Sequence, residues 1–379
     1  MIKKISLLVL SVLLLTMGWT TGLVKAEANI GVSAQAAVLM EQSTGRVLYG
    51  KNEHEPMRIA SITKIMTAIL AIESGKLNET VTVSDRAFGT EGSSLYLQAG
   101  EKVLLEDLVY GLMMRSGNDA AMAIAEHVGG SVEGFVLLMN QKAEEIGMEH
   151  TTFQNPHGLD DLENHRSSAY DMALLTQYAM TNETYKTISS TSDYRTKEGT
   201  TRVFHNKNKL LTQLYKYSTG GKTGYTKLAH RTLVSTATKN DLDLIVVTLD
   251  APSDWDDHMN LFNWAFDQVK LQEVVQEGPI SLVKDEYYKG RVYSKQSYFY
   301  PIKKNELNKL NQEVTLVTPP VAEGKLTEPV GKLTVKMDQE VLTSIPLYYD
   351  PPTVEEKRSF WNRLFGVIQV VVGVQANDQ

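Results

Sequence analysis

Three short stretches of the chain set hydroxyls beside an amine or an amide. They are Ser61-Ile62-Thr63-Lys64, Ser116-Gly117-Asn118 and Lys222-Thr223-Gly224. A serine hydroxyl is inert at neutral pH until a base stands next to it. Three residues apart on a helix, Ser61 and Lys64 share a face and come within reach of each other. Lys64 can act as that base only when neutral. Its pKa must then fall by about three units from ~10.4, at ~4 kcal/mol of desolvation and positive neighbours. Lys222 is the candidate for the second positive charge. The helix N-terminus at Ser61 favours negative charge developing there. A further Ser-x-x-Lys, Ser281-Leu282-Val283-Lys284, falls in an expected strand. There, positions i and i+3 point to opposite faces, so it is set aside.

The other two motifs are each open to a plainer reading. Ser116 stands at a break between two helical patterns, where its side chain can reach a cleft and pass a proton between Lys64 or Lys222 and a leaving amine. Asn118 offers donors and an acceptor to a substrate peptide group. Both residues would equally serve as N-caps for a helix over residues 119–128. Lys222-Thr223-Gly224 opens a strand whose glycine admits another chain close to the backbone. A substrate could add there as an extra strand, with Lys222 and Thr223 holding a carboxylate. The backbone N–H groups of Ser61 and Tyr225 would form an oxyanion hole, in which one donor is typically worth ~2.7–4 kcal/mol.

The elements that must position these groups follow from periodicity. Residues 36–52 read as a β-hairpin with a Gln42-Ser43-Thr44-Gly45 turn. Apolar residues recur at helical spacing over 61–74, 105–114, 119–128, 132–146 and 168–181. The pattern then switches to strands at 222–225, 231–238 and 243–249, and a helix over 254–269 closes this part. Hairpin, helices, strands and a last helix give an α+β domain with one antiparallel sheet. Residues 273–352 alternate in short runs between Pro and Gly turns, an all-β module of sandwich type. After Pro351-Pro352, residues 353–379 place Phe360, Trp361, Leu364, Phe365, Ile368 and Val372 along one helical face. That amphipathic tail is too short to span a bilayer and is expected to lie on a membrane surface. A helix packed against the β module is the other reading.

Composition bounds the function. The 379 residues are 42% hydrophobic and 22% charged, enough for sizeable cores, and carry a formal charge of −7. An acidic chain of this kind is not expected to bind nucleic acid. Cysteine is absent, which removes thiol nucleophiles, disulfides and thiolate metal sites. His157 and His165 stand near Asp160, Asp161 and Glu163, but no His-Glu-x-x-His occurs and no metal site is expected. Residues 1–26 read as a secretory signal: Lys3 and Lys4, a short apolar run, then Val24-Lys25-Ala26 before a cleavage point. The expected division is 1–26 signal, 27–272 catalytic domain, 273–352 β module and 353–379 tail, in a protein working at the extracytoplasmic face of the membrane.

The three motifs in this order resemble those of the penicillin-recognising serine enzymes. The surrounding stretches narrow the likeness: Ala60-Ser61-Ile62-Thr63-Lys64-Ile65-Met66-Thr67-Ala68, Gly92-Ser93-Ser94-Leu95-Tyr96-Leu97, Leu112-Met113-Met114-Arg115-Ser116-Gly117-Asn118-Asp119, Asn155-Pro156-His157-Gly158-Leu159 and Lys222-Thr223-Gly224-Tyr225-Thr226. These are similar to the D-alanyl-D-alanine carboxypeptidases of low molecular mass, over about residues 36–269, with an overall likeness to sporulation-type members. The resemblance implies a β-lactamase-like fold, a helical subdomain beside a five-stranded sheet. It implies that Ser61 attacks the penultimate D-Ala carbonyl of a peptidoglycan stem pentapeptide, that the terminal D-Ala leaves, that water frees the acyl-enzyme, and that penicillins acylate the same serine. No cofactor is implied. Lys207 stands where some members carry Arg near the substrate carboxylate. As a point charge it cannot grip bidentately, and it could equally be solvated. His230, where relatives carry a small residue, reads as a turn residue. A D,D-endopeptidase, a β-lactamase and a non-catalytic peptide binder are the alternatives.

Overall fold

The computed structural model describes residues 30–318 and 327–350. The expected signal segment and the amphipathic tail lie outside the described residues. β1 (Ala36–Glu41) and β2 (Val47–Lys51) form the expected hairpin, and a 3-10 turn, Ala60–Thr63, leads into α1 (Lys64–Glu73). β3 (Thr80–Thr82) and β4 (Lys102–Leu104) pair as a small ribbon around α2 (Asp85–Phe88). Next come α3 (Leu105–Arg115), α4 (Asn118–Gly129), α5 (Val132–Ile146), α6 (Ala169–Ala179) and α7 (Glu183–Ser190). A second ribbon joins β5 (Asp193–Arg195) to β6 (Val203–His205). β7 (Ser218–Thr226), β8 (His230–Lys239) and β9 (Leu242–Leu249) then return to the sheet of the hairpin, and α8 (Asp254–Gln268) ends this part.

The sheet runs β2-β1-β9-β8-β7, every pair antiparallel. Alternation along β1 assigns its faces. Val38 and Met40 pack with Ile62, Ile65 and Ile69 into the helical core, whereas Leu39 packs with Leu244, Leu261 and Phe262 beneath α8. Helices therefore cover both faces, which is why β9 reads as a nearly continuous apolar run. Beneath the sheet, His258 of α8 is fully buried between the hydroxyls of Ser235 and Thr248. β7 is the edge strand, and that placement puts Lys222-Thr223-Gly224 at an open backbone.

The rest of the described chain is all β: β10 (Val269–Val275), β11 (Gly278–Pro279), β12 (Val292–Ser294), β13 (Tyr298–Lys303), β14 (Leu310–Leu316), β15 (Gly331–Met337) and β16 (Glu340–Tyr349). β10 and β13 pair with each other, and a five-stranded sheet runs β11-β12-β16-β15-β14. Its core holds Tyr288, Val292, Leu333, Val335, Ile345 and Leu347. One expectation is corrected here. Ser281 to Lys284 lies in a turn rather than a strand, with Ser281 and Lys284 exposed. Ile280 and Val283 dip into the core from that turn, which produces a strand-like apolar pattern without a strand. The stretch stays outside the chemistry because its lysine is solvated.

Arg46, at the turn between β1 and β2, joins the two parts. Its guanidinium donates to Pro301 O and to Glu306 Oε1 at 2.8 Å, and lies over the Tyr300 ring at 5.0 Å. The side chain is only 15% exposed, so water screens these contacts weakly. Arg46→Ala is expected to cost about 1.5–3 kcal/mol at this joint, a charged hydrogen-bond loss. Limited proteolysis around residues 269–277 should then speed up about 10-fold or more; an unchanged digestion rate would show that the joint holds without it.

Candidate active site

The backbone around Ser61 is held under strain. Ala60 has φ of 49°, a left-handed value that a residue with a Cβ adopts at a cost. Its carbonyl is pinned from two sides. Thr63 Oγ1 donates to Ala60 O at 2.8 Å, and Gly158 packs so close that a Cβ there would sit 1.9 Å from the same oxygen. His165 supports the pin. Its Nδ1 accepts from Gln154 N–H at 2.9 Å, so Nε2 carries the proton and donates to Thr63 Oγ1 at 2.8 Å. The expected helix start at Ser61 is in fact this 3-10 turn, with α1 beginning at Lys64.

Lys64 is completely buried, and its Nζ lies 2.9 Å from Ser61 Oγ, 2.7 Å from Asn118 Oδ1 and 2.7 Å from His157 O. Asn118 Nδ2 donates to Glu91 O at 2.6 Å, which fixes the amide orientation and leaves Oδ1 only able to accept. Two of the three directions around the amine therefore end on acceptors. As an ammonium, Lys64 donates to Ser61 Oγ as well; once neutral, the amine keeps two N–H bonds for the carbonyls and has a lone pair for Ser61 Oγ. Burial, then the charges of Lys222 and Lys207, hold the Lys64 pKa well below the ordinary lysine value; the Asp119 carboxylate opposes them.

Neither Ser116 nor Asn118 is the N-cap of α4, and that reading is corrected. Gly117 is the N-cap of α4 and no side chain caps it. Ser116 is the left-handed C-cap residue of α3, φ 66°, with its hydroxyl turned inward to accept from Lys222 Nζ at 3.1 Å. Lys222 also donates to Thr223 O at 2.7 Å and is 1% exposed. Burial and the Lys207 charge lower its pKa to about 7. Gly224 is required by contact: a Cβ there would lie 2.3 Å from Thr232 Oγ1 and 3.0 Å from Ser61 N. The Ser61 amide thus lies against β7. Tyr225, the next residue of β7, is 66% exposed. Lys207 is exposed, its backbone tied to Met114 O at 3.1 Å, and its ammonium makes no hydrogen bond among the described residues. Its pKa is lowered by burial and by Arg115. Contacts thus join Ser61, Lys64 and Asn118, join Ser116 to Lys222, and set Gly224 against Ser61; Thr223 and Tyr225 flank Gly224 on β7, and the Lys207 charge acts on both buried amines.

With that geometry established, comparison with known proteins is direct. Residues 23–253 match the family described as D-alanyl-D-alanine carboxypeptidase, and residues 270–355 match the C-terminal domain of penicillin-binding protein 5. The chain belongs to the D-alanyl-D-alanine carboxypeptidase family. It is a serine hydrolase of the penicillin-binding type. The D-alanyl-D-alanine carboxypeptidase DacF of Bacillus subtilis is 32% identical over 85% of this chain and 86% of its own. DacC of Escherichia coli is 37% identical over 62% of each. The crystal structure of penicillin-binding protein 5 from Haemophilus influenzae superposes with a TM-score of 0.70 at 28% identity, covering 85% of this chain and 97% of that one.

Several functional groups were not visible as such in the sequence. Asp119 is 1% exposed and gathers Ser94 Oγ at 2.6 Å, Leu95 N–H at 2.9 Å and Leu97 N–H at 3.2 Å. It thereby fixes the loop whose Glu91 and Ser93 carbonyls hold Asn118. His157 contributes its carbonyl rather than its ring. Among the described residues no group of three or more side chains could hold a metal ion.

Burial holds three rings neutral: His157 at a pKa of about 3, His165 at about 4 and His258 at about 3. Each folded value lies below the unfolded ~6.5, so the stabilisation is complete above about pH 6.5 and is lost as pH falls towards the folded values. Urea unfolding free energies should therefore drop between pH 6.5 and 4.5, by up to about 1.4 kcal/mol per pH unit for each ring. A flat profile over that window would contradict the neutral assignment.

Proposed function

We propose that Ser61 is the nucleophile and Lys64 its base in the removal of the terminal D-Ala from peptidoglycan stem pentapeptides. One observation carries this reading: the fully buried Lys64 Nζ lies 2.9 Å from Ser61 Oγ, with the Asn118 and His157 carbonyl oxygens at 2.7 Å to take the two N–H bonds of the neutral amine. The stem peptide lies along β7 with its terminal carboxylate at Lys207 and Thr223. Lys64 takes the Ser61 proton as Oγ attacks the penultimate D-Ala carbonyl. The N–H groups of Ser61 and Tyr225 receive the oxyanion. The proton then passes by way of Ser116 and Lys222 to the departing amine, and D-Ala leaves. Water, activated by the same lysine, hydrolyses the ester. A β-lactam carbonyl enters the same position, acylates Ser61 and leaves slowly.

Asn118 has a double task here, holding the Lys64 amine through Oδ1 while its amide borders the cleft. Residues 1–26 would export the chain and residues 353–379 would lay it on the membrane surface, readings that rest on sequence alone.

Ser61→Ala should abolish the covalent penicillin adduct and lower pentapeptide turnover by about 10⁴-fold or more, as loss of a nucleophile does elsewhere. Mass spectrometry of a defined pentapeptide, read as loss of one alanine, checks it. Retained turnover in the folded variant would remove Ser61 from the reaction. Lys207→Met removes a positive charge that lowers both Lys64 and Lys222. Both pKa values should rise, so the acid limb of the penicillin acylation profile should move to higher pH. A limb that stays in place or moves down would mean that Lys207 does not act on the amines.

A further inference from the structure

A cavity of about 250 Å³ lies at the far end of β7, lined by Glu55, Arg58, Arg166, Leu228, Ala229 and Asp250 among others. Its position follows from the direction of the substrate. Lys207 stands at the Gly220 end of β7, since its neighbour Asn208 reaches Gly220 O. Ser61 N lies beside Gly224. A peptide with its carboxylate at Lys207 and its reacting carbonyl at Ser61 therefore runs antiparallel to β7. Its earlier residues pass Tyr225 and Thr226 towards the turn at 227–229. Thr226 is two residues beyond Gly224, about 7 Å along the strand. The residue before the attacked D-Ala, third in the stem, projects its side chain into this region. Leu228 and Ala229 of that turn form one wall of the cavity, and Leu228 N–H is tied to Asp160 Oδ2 at 3.2 Å.

The cavity has an unusual charge arrangement. Met57 and Ser167 exchange both backbone hydrogen bonds, at 2.9 and 3.0 Å, in an antiparallel bridge. Arg58 therefore stands directly opposite Arg166 in the adjoining non-hydrogen-bonded position, where side chains lie closest and share a face. Like charges placed so repel. Little in the fold offsets this. Arg58 reaches the Asp160 carboxylate at 3.7 Å and Asp160 O at 3.3 Å. Arg166 finds Glu163 O at 3.3 Å and Pro56 O at 3.5 Å, and no ion pair among the described residues. Glu55 and Asp250 also line the cavity, the latter engaged by His230 Nδ1 at 2.8 Å. A pair of guanidiniums matches a carboxylate bidentately. A facing carboxylate matches an ammonium.

We propose that this cavity is the subsite for the side chain of the third stem residue and that it takes a diamino dicarboxylic acid, such as diaminopimelate. The terminal carboxylate of that side chain lies between Arg58 and Arg166, and its ammonium faces Glu55. Lysine at the same position brings an ammonium and leaves the two guanidiniums unanswered. This inference rests on the carboxypeptidase reading above.

The test uses the full chain and three pentapeptides that differ only in residue three: diaminopimelate, diaminopimelate with its side-chain carboxylate amidated, and lysine. The diaminopimelate peptide should show a kcat/KM at least 10-fold above the other two. Arg58→Gln and Arg166→Gln should each shrink that ratio, and the double variant should bring it close to 1. Thermal melting confirms that the variants fold, and the amidated peptide tests the same contact with no substitution at all. Equal turnover of all three peptides by the unaltered protein overturns the subsite and leaves the carboxypeptidase reading standing. A preference that survives in the double variant overturns it as well. Failure of every peptide to lose alanine overturns the carboxypeptidase reading, and the subsite with it.

Discussion

One buried amine organises this protein. Lys64 is an ionisable group with no exposure, placed where its charged form is penalised and its neutral form has two carbonyl acceptors and one hydroxyl. Each of those partners comes from a different part of the chain. Asn118 begins α4, His157 belongs to the loop before α6, and Ser61 lies in the turn before α1. The amine is correctly set only when all three have arrived, so the chemistry depends on the whole helical subdomain. The strained backbones at Ala60 and Ser116 sit at two of the hydroxyls, where close packing by Gly158 and the Lys222 contact keep them in place.

Electrostatics around that amine is graded rather than uniform. Lys64, Lys222 and Lys207 converge without a carboxylate among them, and Lys207 is the most accessible of the three. Burial and then the charges of both other lysines hold the Lys64 pKa well below the ordinary lysine value. Lys207 keeps an unpartnered ammonium at the open end, where an anionic group can complete it. The region around the three lysines is therefore electropositive, which fits the anionic substrate proposed above. Asp119 lies close enough to temper this without touching any of the three amines, since its oxygens are occupied by the loop at 94–97 and by the amide of Ala120.

Much of this was legible in the chain. Ser61 and Lys64 are three apart on a turn that enters a helix, and regular elements translate spacing into geometry. The main sheet was readable because β9 is apolar along almost its whole length, β8 is rich in β-branched Val and Thr, and β1 is an apolar run. Other features were hidden for physical reasons. The ribbons β3–β4 and β5–β6 are three residues per strand, too short for periodicity to register. Ser116 looked like a cap because serine is a good one; only the left-handed turn at that residue swings its hydroxyl away from α4. Residues 280–283 mimicked a strand because two buried side chains two or three apart arise from a turn as easily as from a pleat. Contacts such as Arg46 with Glu306, 260 residues apart, leave no local trace. Nor does the pairing of Arg58 with Arg166, which exists only because a two-residue bridge brings distant segments level.

The position of β7 at the border of the sheet has a second consequence. An unpaired strand edge is an invitation to pair with any extended chain, including another copy of the same sheet, and so is an aggregation hazard. Here α7 closes in on one end, with Ser189 packed against Gly220, and the Ala60–Thr63 turn overhangs the other at Gly224. Both contacts flank the edge and limit how closely the broad side of a neighbouring sheet could approach it. Segments packed at both ends of that strand therefore also hinder edge-to-edge pairing between copies of the chain.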